Sequence, residues 1–174
     1  MQKHPYDDPV ENLSHAPAIE KIRELSKSAR VCLFVTLPGQ FPLSTRPMAV
    51  QDVDAAGNLW FLSARSSVKN KHINRDPRVQ LFFGNPGDSQ YLTVHGFATV
   101  SDNRALREKY WTPIAKTWIH EGVDDPELTV IRVTVKDGYY WDTEHGKAIA
   151  LVKIAVGAMT GKTMDDSVEG KVRP

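Results

Sequence analysis

The chain has 174 residues, enough for one compact domain with a real core. Its composition, 41% hydrophobic and 25% charged, is that of an ordinary globular protein, and a formal net charge of +1 gives no bias toward nucleic acid or an anionic membrane. Cys32 is the single cysteine, so an intrachain disulfide and a cysteine-built zinc or iron–sulfur site are excluded.

Met1 to Pro9 is polar and lacks a basic stretch followed by an apolar one, so it does not read as a signal peptide. No apolar run approaches the ~20 residues needed to span a bilayer. The sequence therefore predicts a cytoplasmic protein with a loose arm over residues 1–16, one domain over 17–162 and a tail over 163–174.

Ser14 to Ala29 predicts a helix, with Ser14 as cap, Pro17 in the first turn and Ile19, Ile22 and Leu25 at helical spacing. Arg30 to Leu37 is a β-rich run in which Cys32 reads as a buried core residue, and Pro38-Gly39 is a turn. Leu43 to Val53 predicts a strand interrupted at Pro47, which removes a ladder donor and favours an edge or a bulge. Leu59 to Ser63 is the next strand, Ser66 to Asn74 a short helix, and Arg78 to Gly84 a further strand. Tyr91 to Ser101 follows, with Gly96 as a bulge or close-approach point.

Asp102 is expected to cap a helix reaching Trp111, with Pro113 to His120 continuing the helical layer and Trp111 and Trp118 packing in the core or between copies. Leu128 to Val135 predicts a strand, and Asp137-Gly138 a turn leading into Tyr139-Tyr140-Trp141. Lys147 to Met159 reads as an apolar helix stopped by Gly161. Six or seven strands in mostly hairpin order, with helices between them, predict a mainly β protein, an antiparallel barrel with helical flanks.

The segment Leu59 to Lys69 carries the clearest chemistry. A strand ends at Ser63 and a helix opens near Ser66 or Ser67, where unpaired amides and a partial positive charge favour a phosphate. Lys69 adds a full charge on the first turn, and Arg46, from another strand, a forked guanidinium. The plainer alternative makes Ser67 only a cap, and Lys69, Lys71 and Arg75 a solvated face. His72, His95, His120 and His145 show no close metal-ligand spacing, so no metal is expected; Asp124-Asp125 and Asp165-Asp166 read as solvated pairs. Signatures of serine hydrolases, P-loop enzymes and dinucleotide-binding Rossmann folds are missing.

Three segments in order, Ser44-Thr45-Arg46-Pro47-Met48, then Leu59 to Lys69 with Asp76-Pro77-Arg78-Val79, then Tyr139-Tyr140-Trp141-Asp142, resemble the pyridoxamine 5′-phosphate oxidase-like split barrels, most of all their general stress protein branch. The resemblance covers residues 17 to 162 and implies an FMN-binding split β-barrel, with FAD as the other flavin, in a groove between two subunits of a homodimer. Residue by residue, it implies that Arg46 and Lys69 contact the phosphate, with Ser67 at the helix opening. Pro47, Met48, Ala49 and Val50 match a strand lying along the isoalloxazine ring, and Leu62 and Ser63 a further contact. Tyr91 matches a position that reaches the flavin, and Trp141 an aromatic residue supplied by the dimer partner.

Three positions depart from the oxidases. Gln51 stands for a second basic residue after the Arg46 strand, Val68 for an arginine before the phosphate lysine, and Trp141-Asp142-Thr143-Glu144-His145-Gly146 lacks the arginine- and histidine-rich substrate motif. Clamping the phosphate of a vitamin B6 substrate needs such cations, so pyridoxine phosphate oxidation is not expected. The readings that stand are an FMN-dependent oxidoreductase of unidentified substrate with no evident catalytic acid or base, a non-catalytic flavin-binding stress protein, and a haem- or deazaflavin-binding relative on the same barrel.

Overall fold

A computed structural model describes residues 10–117, 119–143 and 167–174. The expected helix Lys147 to Met159 lies outside them, as does Trp118.

The elements in order are β1 (Leu13–Ser14), α1 (His15–Ala29), β2 (Val31–Thr36), β3 (Ser44–Ala49), β4 (Asp52–Val53), β5 (Leu59–Ala64), α2 (Val68–Arg75), β6 (Arg78–Asn85), β7 (Gln90–Ser101), α3 (Arg104–Tyr110), β8 (Leu128–Thr143) and β9 (Ser167–Arg173), with 3-10 turns at Pro86–Asp88, Pro113–Thr117 and Gly122–Asp124. Alternation of apolar side chains makes the strands: in β6 and β7 every second residue is buried. In β5 all of Leu59 to Ser63 are buried, because that strand is covered on both faces. Helix α1 buries Ala18, Ile22 and Leu25 at helical spacing.

Among the described residues, nine strands form one sheet in the order β1-β9-β8-β7-β6-β2-β3, with β5 pairing β8 and carrying β4. The β1–β9 pairing is parallel and the other strand pairs are antiparallel. The long strand β8 organises the rest: Leu128 to Val133 pair with β5, Gly138 to Thr143 pair with β9, and β7 runs along both halves. This is the mainly β barrel-type fold expected.

Four expectations need correction. Asp137-Gly138 does not turn the chain, because β8 continues through it. His95 pairs with Asp137 and Gly96 with Val135, so Lys136 is the extra residue of a bulge. The glycines there serve close approach: a Cβ on Gly138 would meet the Thr93 carbonyl oxygen at 2.4 Å, and one on Gly96 the Thr134 carbonyl oxygen at 2.3 Å. The described part of the expected tail is instead strand β9, which buries Val168, Gly170 and Val172. Two valines and a glycine among polar neighbours give little strand signal, and pairing on both edges supplies the rest. The described part of the expected arm is held as well: Val10 bridges to Glu169, and Leu13 and Ser14 pair with Val172 and Arg173.

Finally, α3 is capped by Asn103, whose side chain accepts from the Leu106 amide at 3.2 Å. Asp102 is drawn away by Arg65, at 3.0 Å. At α1, Ser14 occupies the N-cap position without a side-chain cap bond.

The barrel encloses the main core, with Phe34, Phe61, Leu81, Val94, Ile131 and Tyr140 among its members; Phe34 meets Phe61 edge-on at 5.3 Å. A second core lies on the other face of β5 and β8, where Trp60 stacks on Tyr110 at 4.7 Å over Leu62, Ala115, Ile119, Leu128 and Val130, with Trp111 packed at its margin. Among the described residues, no helix is long and apolar enough to cross a membrane.

Candidate functional site

Strand β3 is the edge of the sheet, where Pro47 needs no ladder partner on its outer side. Its side chains alternate. Met48 is buried in the main core, and Pro47 and Ala49 are exposed on the other face. Arg46 shares the inner face with Met48 and stands opposite Phe34 of β2. Its guanidinium is half-buried and held on three sides. Nη1 donates to Thr36 Oγ1 at 2.8 Å and to the Phe34 carbonyl at 3.3 Å, and Nη2 donates to Ser44 Oγ at 2.7 Å. Thr36 Oγ1 lies in turn 2.9 Å from Nδ1 of His72 on α2.

Lys69, one turn before His72, completes this cluster. Burial lowers its pKa, and the charge of Arg46 lowers it further. Burial also lowers that of Arg46. Two half-buried cations thus repel each other, and no carboxylate pairs with either among the described residues. Such an arrangement is costly unless an anion joins it. A phosphate group fits that need, with Arg46 offering a fork and Lys69 a point charge.

The serines at the opening of α2 are placed differently. Ser63 is buried and donates to Asn70 Oδ1 at 2.8 Å; Asn70 Nδ2 donates to Thr129 Oγ1 at 3.0 Å; and Thr129 Oγ1 donates to the Ser63 carbonyl at 2.9 Å. This closed ring seats α2 on β5 and β8. Ser67 is the N-cap, accepting from the Asn70 amide at 3.4 Å. The amide of Ser66 donates to the Glu127 carboxylate at 3.0 Å, and Ser66 holds the Glu127 carboxyl below its usual range. Leu62 is buried in the second core, facing away from Ser63.

Tyr91 and Trp141 are cross-strand partners, 43% and 41% exposed. They do not join Arg46 within one chain. The row Arg46, Phe34, Leu81, Val94 runs across the sheet with its last three side chains in the core, and Tyr91 lies three residues from Val94, hence on the opposite face. That outer face also exposes Leu33 and Phe82, which are paired with each other. It holds a cleft of about 350 Å³ lined by Gln80, Thr93, His95, Asp137, Tyr139, Lys171 and Arg173, to which neither Arg46 nor Lys69 contributes.

Sequence reasoning missed Thr36, Ser44 and His72 around Arg46, and Asn70, Thr129 and Glu127 around α2. Two signals were available. Thr36 and Ser44 flank the hairpin that carries Arg46, and His72 follows Lys69 at a spacing of three, on the same helix face. Asp125, read as part of a solvated pair, is buried: its carboxylate accepts the amides of Glu127, Glu121 and His120, which hold its pKa low. It ties a loop together in the manner of a turn carboxylate.

A family profile described as pyridoxamine 5′-phosphate oxidase like matches residues 17–165. Protein bli-3 of Neurospora crassa is 26% identical over 162 residues, covering 86% of this chain and 78% of that protein. General stress protein 26 of Bacillus subtilis is 27% identical over 79 residues, 43% of this chain and 55% of that one. Among solved structures, a protein assigned as general stress protein 26 from Jannaschia sp. CCS1 superposes with a TM-score of 0.78 at 24% identity, covering 91% of this chain and 99% of its own. The general stress FMN/FAD binding protein of Xanthomonas citri superposes with a TM-score of 0.60 at 20% identity, covering 71% and 89%. At these identities the superpositions speak for the fold.

Proposed function

Because the chain belongs to the pyridoxamine 5′-phosphate oxidase-like family, we propose that it binds a flavin, FMN in the first place, as a homodimer, and that it is an oxidoreductase acting on a small molecule. The observation that carries this reading is the pair Arg46 and Lys69: two half-buried cations, with the charge of Arg46 set against that of Lys69 and no carboxylate paired with either among the described residues. Arg46 and Lys69 would hold the phosphate, and the backbone from Met48 to Val50, at and just past the end of β3, would lie along the ring. Tyr91 and Trp141 face away from Arg46 in the same chain, which supports a site that takes them from a second copy. The Xanthomonas citri relative is itself described as an FMN/FAD binding protein.

A bound flavin supplies hydride or electron transfer, and the chain supplies placement and polarity. Arg46, fixed by Thr36, Ser44 and the Phe34 carbonyl, offers its remaining N–H groups in one orientation, so little freedom is lost on binding an anion. Calorimetric titration of the purified protein with FMN tests the reading. Saturable heat, with quenching of flavin fluorescence, is expected; no saturable signal at excess FMN overturns it. Turnover of reduced nicotinamide by the loaded protein then separates an enzyme from a flavin-holding protein.

A further inference from the structure

We propose that the cleft on the outer face of the sheet, between Tyr139 and the β9 cations Lys171 and Arg173, binds a small, flat carboxylate and receives the substrate of the flavin chemistry. The substrate role rests on the flavin reading above; the carboxylate site rests on the cleft alone.

The pleat builds the cleft. Lys171 and Arg173 stand two residues apart on β9, hence on one face, while Val168 and Val172 are buried on the other. Two rows of side chains run inward from them across the paired strands. In the first, Lys171 stands opposite Tyr139, and Tyr139 opposite Thr93. In the second, Asp137 and Arg173 follow the Gly138–Val172 pair, Asp137 stands opposite His95, and His95 opposite Gln80. The volume of about 350 Å³ lies at the small end of what small-molecule sites offer. Strand β9 is paired on both edges, with β1 and with β8, so its two cations project from fixed backbone.

Charge decides the sign of the ligand. Among the described residues neither Lys171 nor Arg173 forms an ion pair, although their places on one strand face are only roughly 7 Å apart. A carboxylate between them gains a fork from Arg173 and a point charge from Lys171. Asp137 offsets one of the two positive charges. The cleft therefore suits a single negative charge better than the nearly two of a phosphate monoester.

The walls decide the rest. The half-buried Tyr139 ring gives a planar body a face to lie on, and it leans on Trp141 at 4.8 Å. Gln80 Nε2 donates to Thr93 Oγ1, which leaves Gln80 Oε1 to accept from a hydroxyl or amine of the ligand, on the side away from the cations. The next row of the same face is Tyr91 and Trp141, the aromatic pair that the flavin reading sets against the ring. A ligand seated on Tyr139 is thus a neighbour of the flavin.

The test titrates 4-hydroxybenzoate, and 4-hydroxybenzamide as its uncharged counterpart, into the protein without FMN by calorimetry. The acid should bind saturably and the amide about ten- to a hundredfold more weakly, the worth of a charge-assisted contact. Lys171→Gln and Arg173→Gln should each remove most of that difference. Asp137→Asn, which frees the cations of a competing carboxylate, should strengthen the acid and leave the amide unchanged. All three side chains are exposed, so the urea midpoints of the variants should match wild type. In FMN-loaded protein the acid should shift the flavin absorption bands. Equal binding of acid and amide, or binding of neither, overturns the carboxylate site and leaves the flavin reading standing. Absence of FMN binding overturns the flavin reading and the substrate role, and leaves the carboxylate site. Acid bound without any change in the flavin bands overturns the substrate role alone.

Discussion

Lys21 Nζ lies 2.8 Å from Asp142 Oδ2, joining α1 to the far end of β8 at a carboxylate only 5% exposed. Asp142 Oδ1 also accepts from Gln90 Nε2 at 3.0 Å and from the Thr143 amide at 2.8 Å, and Gln90 Oε1 accepts from Ser28 Oγ at 2.6 Å. The middle of α1, at Lys21, and its C-terminal end, at Ser28, are thereby fastened to the rim where β7 and β8 meet. The helix closes the barrel mouth over Ile22 and Leu25.

Asp142→Ala should therefore destabilise the fold by about 3 kcal/mol, the low end for breaking a buried pair, since Lys21 keeps some solvent. Burial opposes the charge of Lys21, but the hydrogen bonds it donates to Asp142 and Glu24 outweigh it and raise its pKa. A raised lysine pKa adds stability that is complete below the ordinary value of 10.5 and lost as pH rises through the elevated one. Urea midpoints of wild type and Lys21→Met, measured from pH 8 upward, should converge only above that value.

Lys69→Ala should weaken FMN about ten- to a hundredfold, the worth of a charge-assisted contact of roughly 1.5–3 kcal/mol. Riboflavin, which has no phosphate, should bind as before. Equal losses for both ligands would assign Lys69 to folding or to the ring.

Leu33, 52% exposed, sits beside Phe82 on the face that also carries Tyr91 and Trp141. A homodimer covering that face predicts a light-scattering mass twice the 19.5 kDa of the chain. Leu33→Glu should return the single-chain mass and lose flavin binding together with it. A wild-type protein that is already monomeric would remove both the dimer and the shared site.

Pyridoxine phosphate should not be oxidised at a useful rate by FMN-loaded protein. Its phosphate would need cations beyond those already given to the flavin, and the segment after Trp141 lacks forked arginines. Formation of pyridoxal phosphate at about ten per second, an ordinary enzymatic rate, would restore the oxidase assignment.

The order of elements was legible wherever one short-range signal dominated. Alternation marked β6 and β7, helical spacing marked α1, and Pro47 marked β3 as an edge or a bulge, of which the edge is found. What failed depended on partners distant in sequence. Ser167 to Arg173 becomes a strand because β1 and β8 flank it, and Gly138 stays extended because the Thr93 carbonyl crosses over it. At the candidate site, the capping of α2 by Ser67 and the place of Lys69 in its first turn were legible from chain order. The support of Arg46 was not, since Thr36 and His72 meet only once β2 and α2 have packed.

The pairing of Leu13 with Val172 gives the fold a timetable. On a ribosome, Val10 to Ser14 emerges before the rest of the sheet and waits for a partner strand that is made more than a hundred and fifty residues later. Until β9 clears the exit tunnel, β8 keeps an open edge and Tyr140 lacks the Glu11 carbonyl that its hydroxyl contacts at 3.0 Å. Nascent chains arrested before Ser167 should thus show an N-terminal segment open to protease and an unpaired strand available to other chains. Closure of this sheet therefore waits for β9, the last of its strands in chain order.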